Sequence, residues 1–127
     1  MTPPRPFPAK RAPLVFRVMV QGPKYIRVSV FDRRSEMLAD MGKRHGLPHQ
    51  GEIAVTLSEF GDNCIADLFF YWRGLRPSIV AHEASHAAWA IALALGKGIG
   101  PDSDEFIADH VEKITEKILM RTAIAPL

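Results

Sequence analysis

The sequence predicts an α+β domain, with three to four mostly antiparallel β-strands followed by a long apolar helix and a C-terminal helix. Three observations support this. Apolar residues recur with period two in the first half of the chain, as in Ile26, Val28 and Val30. After Pro77 the spacing changes to threes and fours. Glycine and proline punctuate the boundaries, and 127 residues with 47% apolar content suffice for a single core.

Residues 1–13 hold five prolines and several cations, and read as a disordered, basic, proline-rich arm. Residues 14–127 form the single domain. Leu14 to Val20 is almost continuously apolar, and Lys24 to Phe31 alternates, with Arg27 and Ser29 opposite Ile26, Val28 and Val30. Gln21-Gly22-Pro23 between them predicts a hairpin turn. Met37, Leu38 and Met41 predict a short helix capped by Asp32 and limited by Gly42 and Gly46. Glu52 to Ser58 is a third strand with Ile53, Val55 and Leu57 on one face. Cys64 to Trp72 fits either period. Its aromatic run favours a fourth strand and a place in the core over one lining a cleft.

Pro77 opens a helix that runs to about Leu95 and stops at Gly96. Apart from His82, Glu83, Ser85 and His86, every position from Ile79 to Leu95 is apolar, which predicts a helix buried all round. Asp102 or Ser103 caps a last helix to about Thr122, with Ile107, Ala108, Val111, Ile114 and Ile118 on its apolar side.

The net charge of +2 is small, and the basic residues between Arg33 and Arg44 are accounted for by a solvated face. With no helix-turn-helix or zinc-finger pattern, this argues against a nucleic-acid partner. One cysteine, Cys64, excludes an intrachain disulfide and suits a core position in a reducing compartment. The longest apolar run, Ala87 to Leu95, is too short to cross a bilayer, and the N-terminus lacks the apolar segment of a secretory signal. The expectation is a cytoplasmic protein with no membrane partner.

The chemistry lies in His82-Glu83-Ala84-Ser85-His86, an H-E-x-x-H pattern. On a helix the two imidazoles share one face a turn apart, so that they can grip one zinc ion with Glu83 beside them as general base. A buried helix strengthens the case, because unpaired polar groups there cost several kcal/mol, of order 2–7 each. A catalytic zinc takes three protein ligands and leaves one position open. Glu105 follows His86 after 18 residues, and Asp109 lies four further on the same helix face, where it could orient a ligating histidine. The same residues have another reading. Asp102-Ser103-Asp104-Glu105 fits a capping box, and Glu105, Asp109, Glu112 and Glu116 form an acidic stripe of the kind usually solvated. His45 and His49 flank a loop and read as ordinary loop histidines rather than a second metal site.

The H-E-A-S-H segment followed by Asp104-Glu105-Phe106-Ile107-Ala108-Asp109 resembles the gluzincin metallopeptidases, the thermolysin-like clan, over about residues 77–120. The plan also looks like the small zincin-like proteins encoded by bacteriophages and prophages. The resemblance implies a small zincin-like fold binding one zinc ion through His82, His86 and Glu105. Glu83 would take a proton from the zinc-bound water, Asp109 would orient a histidine, and a peptide or protein would be the substrate. That clan stabilises the oxyanion from a second domain that this chain lacks; His110, Tyr71, Arg73 and Arg76 are the remaining candidates. An extended peptide would add to a strand edge beside the metal helix, supplied by residues 52–58 or 64–72. The expected function is that of a zinc-dependent hydrolase, a metallopeptidase. The alternative is a zincin-like domain that binds zinc as a structural or interaction module, such as a phage assembly component. Glu83 favours the first, since a purely structural site needs no carboxylate there.

Overall fold

The computed structural model describes residues 11–46, 54–58, 63–97 and 100–123, with the side chains of Val55, Leu57 and Ser58 excepted. Strands β1 (Leu14–Gln21), β2 (Lys24–Phe31), β3 (Val55–Ser58) and β4 (Cys64–Tyr71) form one sheet in the order β1-β2-β4-β3. Helix α1 (Arg34–His45) lies between β2 and β3 in the chain, and α2 (Pro77–Ala94) and α3 (Pro101–Thr122) follow β4. The molecule is thus α+β with a mixed sheet and three helices. β1 pairs antiparallel with β2, and β3 with β4, but β2 and β4 run parallel. Parallel neighbours need a long crossover, which here contains α1 and β3.

Helices on both faces settle the segment that fitted two periods. Every residue from Cys64 to Phe70 is buried because β4 is a central strand between two layers. On one side Phe16, Val28, Leu68 and Phe70 pack under Val80, Ala84, Ala87 and Ile91 of α2 and Ile114 and Ile118 of α3. On the other, Phe31 and Phe69 pack under Met37 and Met41 of α1. Cys64 is fully buried, as a core residue should be.

Several boundaries differ from expectation. α1 takes Arg33 rather than Asp32 as its N-cap, with no side-chain cap bond, and it continues through Gly42 to His45. It ends at Gly46, whose φ of 69° lets its N–H reach the Gly42 carbonyl, a left-handed turn that glycine adopts without steric cost. α3 begins at Pro101 after Gly100, so neither Asp102 nor Ser103 is its cap; Asp102 and Asp104 instead face the dipole in the first turn. Residues 1–10 of the proline-rich arm and the start of the expected third strand lie outside the described residues. Among the described residues no helix is long and apolar enough to cross a membrane.

Candidate metal centre

α2 is not buried all round. Val80, Glu83, Ala84, Ala87, Ala88, Ile91 and Ala92 are buried, whereas His82, His86, Trp89 and Leu93 are exposed. Those four are spaced four, three and four residues apart, so they form one continuous solvent-facing row. The composition concealed this because alanines fill the covered side and apolar Trp89 and Leu93 lie on the open side. The histidines are not buried polar groups seeking a partner, and the His82 side chain is 68% exposed. The buried polar member of the motif is Glu83.

The geometry of the pair supplies a different argument. The His82 and His86 Nε2 atoms lie 3.3 Å apart, with the rings edge-on at 4.9 Å between centroids. Two nitrogens each about 2.05 Å from a tetrahedral zinc ion stand about 3.3 Å apart. The observed separation equals that spacing. At the same separation one imidazole can also donate an N–H to the other in the absence of an ion.

Glu83 points into the molecule, where Thr56 on β3 meets it. The Thr56 hydroxyl stands 2.8 Å from Glu83 Oε1 and 3.1 Å from the Glu83 carbonyl oxygen. The other carboxylate oxygen, Oε2, lies 4.0 Å from His82 Nε2. A buried carboxylate, a hydroxyl that donates to it and two imidazoles therefore meet beside edge strand β3. Strand parity hid Thr56. The sequence groups Ile53, Val55 and Leu57 on one face of the third strand and gives Thr56 no role; its contact with Glu83 follows from the placement of β3 beside α2.

Glu105 and Asp109 are exposed, and no group of three metal-ligating side chains occurs among the described residues. With α3 starting at Pro101, Glu105 lies beyond the Asp102 capping-box position, and no side-chain cap bond forms. His110 is held by its own helix, with Nδ1 donating to the Phe106 carbonyl at 2.8 Å and its ring against Phe106 at 4.1 Å. Tyr71 packs with the cluster under α1, on the face of the sheet opposite α2, because it shares strand parity with Phe69. Tyr71 therefore lies on the face of the sheet away from the histidines. Arg73 and Arg76 are exposed.

A second polar cluster, absent from the sequence reading, lies under α1. Asp67 of β4 is fully buried and accepts from Arg27 Nε at 2.7 Å, from a second nitrogen of that guanidinium, and from His45 Nε2 at 3.0 Å. Arg44 adds a contact at 3.3 Å while pairing with Asp40 at 2.7 Å. Burial alone would raise the Asp67 carboxyl pKa. Hydrogen bonds from Arg27 and His45, with the charges of Arg27 and Arg44, outweigh that and hold it below its ordinary value. His45 is thus a helix-end histidine bound to Asp67 rather than a loop residue, and His49 lies outside the described residues.

No protein-family model matches the chain, and neither does any curated protein or solved structure.

Proposed function

We propose that the chain is a zinc-dependent hydrolase of small zincin-like type that acts on peptide bonds. The observation that carries this is the 3.3 Å separation of the His82 and His86 Nε2 atoms on an exposed helix face, with the Glu83 carboxylate beside them. His82 and His86 would hold the ion, and Glu105 is the ligand that the sequence spacing nominates for a third position. A bound zinc supplies a Lewis acid that acidifies water and polarises a carbonyl. Glu83 Oε2, on the His82 side of its carboxylate, takes a proton from water and returns it to the departing amine. Thr56 keeps Oε1 occupied, so one oxygen of the pair faces the chemistry. An extended substrate would lie along β3, the edge strand of the sheet among the described residues.

The test joins calorimetric zinc titration with hydrolysis of a quenched fluorescent peptide library, with and without chelator. Wild-type protein is expected to bind one zinc and cleave peptides in a chelator-sensitive way. Glu83→Gln should keep the zinc and lose cleavage, and Glu105→Ala should weaken binding. Full cleavage by Glu83→Gln would remove the general-base assignment. Unchanged affinity in Glu105→Ala would remove that residue from the ligand set. Zinc binding without any cleavage would favour the alternative, a zincin-like structural or interaction module.

A further inference from the structure

We infer that Thr56 is a positioning residue for the Glu83 carboxylate, an inference that rests on the general-base reading of Glu83. β1, β2, β4 and β3 contribute Phe16, Val28, Leu68 and Thr56 to one cross-strand row. The first three are buried apolar side chains in the core beneath α2 and α3. The row ends on a hydroxyl at the one point where α2 presents a buried acid. Valine, nearly the same shape as threonine, would continue the row but leave Glu83 Oε1 without this donor.

The geometry suits orientation as well as satisfaction. Threonine is branched at Cβ, so its χ1 is stiff and the strand backbone sets the direction of the hydroxyl. Its single proton is shared between Oε1, the nearer acceptor at 2.8 Å, and the backbone carbonyl of the same residue at 3.1 Å, a bifurcated bond that joins α2 to β3. With Oε1 engaged, rotation of the carboxylate is restrained and Oε2 stays on the His82 side, 4.0 Å from Nε2. Sequence neighbours give no hint of this pair, since 27 positions separate its members.

The experiment compares wild-type protein with Thr56→Val and Thr56→Ser by crystallography, zinc calorimetry and peptide-library hydrolysis. In Thr56→Val the Glu83 carboxylate is expected to leave its single position and zinc affinity to stay within twofold. The kcat should fall about tenfold at unchanged KM, the mark of an interaction that acts on the reacting state. Thr56→Ser, which keeps the hydroxyl, should restore both the carboxylate position and kcat. An undisturbed carboxylate in a folded Thr56→Val protein would overturn the inference, as would unchanged kcat. If wild-type protein cleaves nothing, the general-base reading fails on that result alone. The crystallographic comparison still decides whether Thr56 positions Glu83.

Discussion

Glu83 and Asp67 are two buried carboxylates on opposite faces of one sheet, and their surroundings give them different tasks. Asp67 is enclosed by Arg27, Arg44 and His45, so its charge is neutralised where it stands. Removing that carboxylate takes the bidentate acceptor from the partly buried Arg27 and one of two acidic partners from Arg44. Asp67→Ala is expected to cost about 3–5 kcal/mol in urea unfolding. Because its folded pKa is depressed, the stabilisation is complete above the unfolded value of about 3.9 and is lost as pH falls through the folded value. Below that range wild type and Asp67→Ala should converge in stability, which acid titration of the unfolding free energy would measure. Glu83, by contrast, accepts from the Thr56 hydroxyl and holds its other oxygen 4.0 Å from His82 Nε2. The H-E-x-x-H residues were legible because their spacing on a helix is a local property. Thr56, Arg27 and Asp67 were not, since each acts through a partner brought by sheet register. Arg27 read as a polar-face residue of a half-solvated strand until α1 closed over it.

Among the elements, α2 shows where composition misleads. Its apolar content suggested burial on every side, yet its small alanines are what allow close packing against β4 and α3, while Trp89 and Leu93 stand in solvent. Two substitutions separate these roles. Ile118→Ala, from the core side of α3, is expected to cost about 2–5 kcal/mol in equilibrium unfolding. Trp89→Ser, on the open row, should stay within about 0.5 kcal/mol. A large loss at Trp89 would mean that this face is covered. β4 misleads in the opposite direction. Its aromatic run carries no period because both faces are buried, so neighbouring layers, rather than alternation, explain the residues. Helix ends were legible where backbone chemistry is local, as at Pro77 and Gly46, and missed where glycine rather than a polar side chain precedes the helix, as at Gly100.

For the whole molecule, the described residues bring Thr56 of β3 and the H-E-x-x-H residues of α2 together beside one edge of the sheet. The fold class was legible in the change of period along the chain. The parallel β2–β4 pairing was not, because strand direction depends on how α1 and β3 cross over. Binding at the histidine pair should stabilise the native state by mass action, by about 2.7 kcal/mol at a free zinc concentration one hundred times Kd, and chelator should reverse the gain. Thermal unfolding with and without zinc would measure this. The most direct test of the central claim is the zinc content of purified protein after zinc loading and buffer exchange, for wild type beside His82→Ala and His86→Ala. The metal-site account predicts one zinc per chain in wild type and loss of it in each variant. Metal-free wild type, or equal zinc in all three, would contradict it.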